Sequence, residues 1–300
     1  MAPPKELSGI MVAIITPFTD DGSQIDAQRL QQHIERLVQA GVHGIVPGGS
    51  TGEFTALTVA ERKQLIELCV EYAAGRISVV AGTGALSTKD CIELAKHAAD
   101  TGVTALMVVP PFYDAVSYEQ LQELMSEISS ETSLPLMYYN IPSASGLSLT
   151  PEQIAGLSKC GVKYLKDTSG NAPALTELLF ERQDEITTFN GWDTLTFYGL
   201  AAGAKGSVWG ASNIIPELSV QLWEAVAVKG DLKLGRELWS KIFPICKFLE
   251  AHQYAAAVKT GMELLGIKTG GVRKPFKLLA EGPKKEFAVL LRDAGLEVTA

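Results

Sequence analysis

The chain has 300 residues, of which 46% are hydrophobic and 20% charged, and a formal net charge of −8. That balance describes a folded α/β globule and excludes a disordered or fibrous chain. The negative charge argues against nucleic acid or an anionic membrane as the main partner, because both demand a basic footprint. Length alone admits two ordinary domains or one α/β barrel.

The N-terminal stretch MAPPKELSG has no apolar segment after its lysine and does not resemble a secretory signal. The first apolar run, IMVAIITPF (10–18), falls well short of the roughly 20 residues that a bilayer span requires. A cytoplasmic protein is expected. Cys69, Cys91, Cys160 and Cys246 are far apart and show no CxxC or Cys/His ligand spacing. Neither a disulfide framework nor a zinc site is indicated, and buried free thiols suit a reducing compartment. The basic runs at 272–277 and 283–285 read as solvated surface. His33 and His97 read as surface residues too, and no histidine has ligand spacing, so no metal is expected.

A phrase recurs along the chain: QAGVHGIV (39–46), DTGVTALMVV (100–109), KCGVKYLK (159–166) and AAGAKGSVW (201–209). In each, a helix-like segment ends in Gly and an apolar β-like run follows. The Gly fits a left-handed helix C-terminus, and the run fits a strand buried on both faces. Extending outward gives strands near 10–16, 43–47, 77–81, 104–109, 134–139, 162–166, 186–190 and 205–209. Amphipathic segments such as AQRLQQHIERLVQA and TKDCIELAKHAAD lie between them. Eight such strands alternating with helices over about 230 residues predict an α/β fold of the (β/α)8 TIM-barrel type. A doubly wound open sheet is the rival, disfavoured by its usual smaller strand count and by the lack of GxGxxG after the first strand. Further helices near 231–250, 253–265 and 284–294 form a C-terminal helical extension. The expected division is a catalytic barrel at 1–225 and an extension at 226–300.

Barrel chemistry gathers at the C-terminal ends of strands. The second strand delivers GGSTGEF (48–54), the fourth PPFYD (110–114), the fifth YYN (138–140), the sixth LKDTSG (165–170), the seventh NGWD (190–193) and the eighth Trp209-Gly210. Lys166 stands out. Inside an apolar and aromatic mouth its ammonium would be poorly solvated and its pKa lowered, and the neutral amine attacks carbonyls. Asp167 need not neutralise it, since alternate strand residues face opposite ways. GGSTGE offers close backbone approach, two hydroxyls and amides leading into a helix, which suits a carboxylate or phosphate. A plain turn is the competing reading there, and GTG at 82–84 reads as a turn. Tyr139 and Tyr113 are either proton carriers or ordinary rim aromatics.

Together GGSTGE, PPFY, YYNIP and LKDTSG resemble the dihydrodipicolinate synthase and N-acetylneuraminate lyase family of pyruvate-type class I aldolases, from about residue 8 to the C-terminus. The resemblance implies a barrel with a helical extension, and a Schiff base between Lys166 and a 2-oxo acid. It implies that Ser50 and Thr51 hold the pyruvyl carboxylate. Tyr139 would shuttle protons, linked through Thr51 to a Tyr113 contributed by a neighbouring subunit. The main-chain carbonyl of Val208 would help position substrate; Gly49 and Gly191 are further candidate substrate-binding residues, and Thr168, Asp193 and Ser143 are candidate hydroxyl-binding groups. No cofactor is implied beyond the covalent imine on Lys166, and the expected assembly is a homotetramer, a dimer of dimers.

Departures from the family patterns bear on the partner. Dihydrodipicolinate synthases resembled here carry Pro-Ser-Arg-Thr-Gly after the fifth strand, and the arginine holds the carboxylate of aspartate semialdehyde. This chain has Ala144 at that place, which cannot supply a guanidinium contact. Sialate lyases carry Asp-Glu after the seventh strand where this chain has Asp193-Thr194, and a serine where Gly210 stands. The expectation is a Schiff-base lyase or synthase for pyruvate or a short substituted 2-oxo acid, working by aldol cleavage, condensation or dehydration. Dihydrodipicolinate synthase proper (4-hydroxy-tetrahydrodipicolinate synthase) is an alternative, disfavoured by Ala144. A non-catalytic 2-oxo-acid-binding protein is the alternative of another class.

Overall fold

The computed structural model describes residues 6–299; residues 1–5, part of the N-terminal stretch read above for a signal, and residue 300 lie outside them. Eight parallel strands run in chain order around a closed barrel, with β8 hydrogen-bonded back to β1. They are β1 (Gly9–Val12), β2 (Gly44–Ile45), β3 (Ser78–Gly82), β4 (Ala105–Val108), β5 (Leu136–Asn140), β6 (Val162–Asp167), β7 (Thr187–Asn190) and β8 (Gly206–Trp209). Each falls on or within two residues of an expected strand, so the fold is the (β/α)8 TIM barrel.

Residues of period two divide the apolar strands between two layers. Met11, Ala105, Met107, Met137, Tyr139, Tyr164, Phe189 and Val208 fill the barrel interior. Their neighbours Ile10, Val12, Leu106, Val108, Leu136, Tyr138 and Leu165 pack outward against the helices. Burial on both faces explains why these strands read as continuous apolar runs and not as an alternation.

The helices that wrap the barrel are α1 (Ala27–Gln39), α2 (Val59–Ala73), α3 (Thr88–Thr101), α4 (Tyr118–Glu131), the short α5 (Pro142–Ser145) and α6 (Pro151–Gly156), then α7 (Ala172–Phe180), α8 (Thr196–Ala201) and α9 (Pro216–Trp223). Polar side chains start them: Asp26, Thr58, Ser87, Ser117, Thr150 and Asn171 each accept from a backbone N–H of the first turn. Such caps satisfy donors that the helix cannot, at roughly 1 kcal/mol each. The glycines of the repeated phrase, Gly41, Gly102, Gly161 and Gly203, all lie at φ between 83° and 99°. In that region a Cβ is strained, so glycine releases the chain from helix to strand.

Beyond a π-helical turn at Glu224–Val228 the chain forms α10 (Leu232–Glu250), α11 (Tyr254–Leu264) and α12 (Glu281–Asp293), the C-terminal helical extension. No described helix is long and apolar enough to cross a membrane. The four cysteines are free and buried.

Two expectations are corrected. His33 is buried, 2% exposed, because α1 turns it inward onto the Oδ1 of Asn213 at 2.9 Å. Arg273 is not a solvated surface charge either. Its guanidinium pairs with Glu61 at 2.5 Å and donates to the carbonyls of Ala56 and Gly22, clamping the segment after α11 to the start of α2.

Candidate active site

Strand register sets the centre. Tyr139 on β5 and Lys166 on β6 are direct pairing partners, and Lys166 pairs in turn with Phe189 on β7. All three face the barrel interior, so the ammonium of Lys166 sits 3.8 Å from the centre of the Tyr139 ring. Lys166 is 5% exposed. Asp167, one residue on, faces outward as expected, where it accepts from Asn140 Nδ2 at 2.8 Å and from Ser169. It leaves Lys166 to an aromatic face and a cavity.

That cavity has a volume of about 370 Å³ and opens at the C-terminal ends of the strands. Ser50, Thr51, Tyr139, Lys166, Thr168, Gly191, Asp193 and Val208 all line it. Gly49 lies buried in the same loop as Ser50, where an added Cβ would press on Met107 at 3.3 Å. At Gly191 a Cβ would come within 2.9 Å of Lys166 Cγ and closer still to Thr168 Oγ1, so a bare backbone is required there for the lysine stem to pass. Thr168 Oγ1 has no hydrogen-bond partner among the described residues. It is a hydroxyl offered to whatever fills the cavity.

Tyr113 is the expected site residue that its own chain does not bring in. It is 88% exposed and does not line the cavity. The loop after β4 leaves its side chain exposed on this chain.

The GGSTGE loop differs from expectation in one respect. It does not lead directly into a helix: the amides of Gly52 and Glu53 are bonded to the carbonyls of Gly49 and Ser50, a short 3-10 turn follows, and α2 begins only at Val59. No helix N-terminus is therefore aimed at the cavity from this loop, because its own tight turn consumes those donors. The loop is held from beneath by Gly82, where a Cβ would meet the Gly48 carbonyl oxygen at 2.3 Å. GTG at 82–84, read as a turn, is thus the seat on which the loop rests. Glu53 fastens its far end through an ion pair with Lys259 on α11 at 2.5 Å and the amide of Arg273 at 3.0 Å.

The far wall was not legible in the barrel motifs, because the extension builds it. Glu250, Gln253, Tyr254 and Ala255, from the end of α10 and the start of α11, complete the lining. Tyr254 Oη donates to Asp193 Oδ2 at 2.6 Å. Glu250 accepts from the amide of Thr194 at 2.8 Å and from its hydroxyl at 3.0 Å. Burial lifts the Asp193 carboxyl to about 7, with the charge of Glu250 pushing the same way and the Tyr254 phenol opposing. The one sequence signal was the break between two helices at residues 251–253, which returns the chain to the barrel mouth. A second, smaller cavity of about 220 Å³ adjoins at Ser50, Ile141, Gln253 and Ala255, and is walled by Phe54, Phe112, Val109 and Ala144. The first cavity is the one that Lys166, Tyr139, Ser50 and Thr51 line together.

The profile of the dihydrodipicolinate synthetase family matches residues 6–294. The chain belongs to that family. A curated relative, the 4-hydroxy-tetrahydrodipicolinate synthase of Methanopyrus kandleri, is 34% identical over 97% of each chain. Among solved structures, the dihydrodipicolinate synthase of Acinetobacter baumannii complexed with pyruvate superposes with a TM-score of 0.93 at 30% identity, over 97% of this chain and all of that one. YagE, a prophage protein of the family from E. coli K12 in complex with pyruvate, gives 0.91 at 28% identity, over 97% of this chain and 99% of that one. Membership makes the chain a lyase or synthase of the class I aldolase type, taking small 2-oxo acids in the manner of the family.

Proposed function

We propose that the protein is a Schiff-base-forming lyase or synthase acting on pyruvate or a short substituted 2-oxo acid. The observation that carries this is the buried Lys166 amine against the Tyr139 ring, at 3.8 Å, inside a cavity lined by the Ser50 and Thr51 hydroxyls. The two relatives crystallised with pyruvate support the choice of acid.

In this reading the Lys166 nitrogen adds to C2 of the 2-oxo acid and water leaves, forming a protonated imine. The imine withdraws electrons from C3, which gives up a proton and becomes an enamine. C3 then bonds to the carbonyl carbon of an aldehyde partner, whose oxygen takes a proton from Tyr139. Hydrolysis of the imine frees the product and restores the amine, and the reverse sequence is aldol cleavage. Ser50 and Thr51 hold the carboxylate of the acid, with Gly49 giving the loop its close approach. Thr168, Gly191, Asp193 and Val208 border the bound acid and its partner. The reacting group is the enzyme's own lysine, so this scheme uses no cofactor. A Tyr113 supplied by a second copy, in a homotetramer, would complete the relay through Thr51.

The names of relatives favour one member of this reaction class, 4-hydroxy-tetrahydrodipicolinate synthase. Ala144, at the place of the carboxylate-binding arginine, weighs against it. Borohydride reduction in the presence of pyruvate, followed by intact mass and peptide mapping, tests the shared chemistry: an adduct on Lys166 is expected, and its absence with every 2-oxo acid tried leaves a non-catalytic binding protein. Condensation of pyruvate with aspartate semialdehyde tests the particular one.

A further inference from the structure

Two features of the far wall do not belong to the imine chemistry. The first is a fit between barrel and extension. Gly210, just past the end of β8, has no side chain, and a Cβ there would lie 2.5 Å from the ring of Tyr254. The glycine makes the space the tyrosine occupies, and that seat brings the phenol to Asp193 at 2.6 Å. The second is charge. Among the described residues lining the two adjoining cavities, Lys166 is the sole cation, while Asp193, Glu250 and Glu53 are all acids. Where a guanidinium would stand, Ala144 contributes a methyl group to an apolar annex.

We propose that Tyr254, seated on Gly210 and bonded to Asp193, is a specificity-determining residue, and that the wall it completes accepts a partner whose far end is uncharged and hydroxylated and turns away one carrying a carboxylate. The proposal rests on the Lys166 imine reading above and names the class of its second substrate. A carboxylate pushed against this wall would find no cation there to pair with, since Lys259 is already taken by Glu53 and the donors at Glu250 come from Thr194, and burying an unpaired charge is costly. A hydroxyl fits because it can both donate and accept. Burial keeps the Asp193 carboxyl protonated up to about neutral pH, so it can donate to a substrate oxygen while it accepts from Tyr254. The Gln253 amide and the Thr168 hydroxyl add further uncharged partners. Glu250 is bound by Thr194 on both oxygens and backs the wall as a fixed acceptor.

The experiment compares glyceraldehyde with aspartate semialdehyde as aldehyde partners for pyruvate, in the full-length protein and in Tyr254→Phe, which keeps the ring against Gly210 and removes only the hydroxyl. Asp193→Asn serves as a second variant, and circular dichroism checks that each is folded. The native protein is expected to favour glyceraldehyde in kcat/KM by at least about tenfold, a ratio that one or two hydrogen bonds can supply. In Tyr254→Phe that preference is expected to shrink by about tenfold, chiefly through KM, and the pH at which KM for glyceraldehyde rises should move upward, because the phenol no longer holds the Asp193 carboxyl down. Preference for aspartate semialdehyde, or an unchanged ratio in both variants, overturns the proposal. If borohydride traps pyruvate on Lys166 while the preference is reversed, the wall has been misassigned and the imine reading stands. If no adduct forms, both fall together.

Discussion

Two of the described lysines are hidden, Lys166 at 5% and Lys259 at 0% exposure, and their surroundings could hardly differ more. Lys259, on α11, is met by the Glu53 carboxylate at 2.5 Å, the Gly271 carbonyl at 2.6 Å and the face of Phe18 at 4.2 Å. Lys166 meets an aromatic face and a cavity lined by hydroxyls. Burial by itself therefore says little about a lysine's work. A lysine whose charge is answered by an acid and a carbonyl is a fastening, whereas one buried beside open space is available to a substrate carbonyl. The two are linked through one loop: Glu53, which Lys259 grips, ends the GGSTGE turn whose Ser50 and Thr51 line the cavity. The fastening holds that loop from behind.

Exchanging the roles should break cleanly. Lys166→Ala is expected to lose turnover by about 10⁴-fold or more, along with any borohydride-trapped adduct, while its melting temperature stays near that of the native protein. A melting temperature that fell as far as the activity would make Lys166 structural. Lys259→Ala is expected to do the opposite first, costing about 3–5 kcal/mol of stability in urea unfolding by stranding Glu53 without its partner. Tyr139→Phe keeps the ring beneath the ammonium and removes the hydroxyl. Its kcat should fall about 10²-fold to 10³-fold while adduct still forms, and full activity would remove Tyr139 from the proton pathway.

His33 sharpens the contrast between buried groups with and without function. Burial lowers its pKa from 6.5 to about 4, aided by Arg36 and opposed by Asn213. Between those values the unfolded chain binds a proton that the folded one refuses, so stability falls as pH drops from 6.5 towards 4 and this contribution levels below it. The loss is about 3 kcal/mol. Unfolding free energies measured across that window should slope more steeply for the native protein than for His33→Gln. Ala144→Arg brings the smallest expected change: use of aspartate semialdehyde should improve about tenfold by adding the missing cation.

Much of this architecture was open to reading because it depends on neighbours in the chain. Helix-ending glycines followed by apolar runs anchored four of the strands and the rest followed by extension, every boundary falling within two residues except the end of the first strand, which stops four residues early at Val12. Period-two alternation put Asp167 on the face opposite Lys166. Those relations follow from backbone geometry over a few residues. His33 and Arg273 were misjudged because local pattern cannot tell which partner a polar side chain finds, and theirs, Asn213 and Glu61, are distant in sequence. Helix propensity likewise gave the extension's helices but not their business at the barrel mouth.

By itself, then, the order of residues pointed to the barrel over an open sheet and, because alternate strand residues face opposite ways, to a lysine and a tyrosine at the ends of neighbouring strands. Only the tertiary structure decided which lysine is answered by an acid, where Tyr113 points, and that Tyr254 closes the cavity against Gly210 and Asp193. Those depend on close approach between segments whose separation along the chain carries no periodic signal, and packing in three dimensions is what brings them into contact.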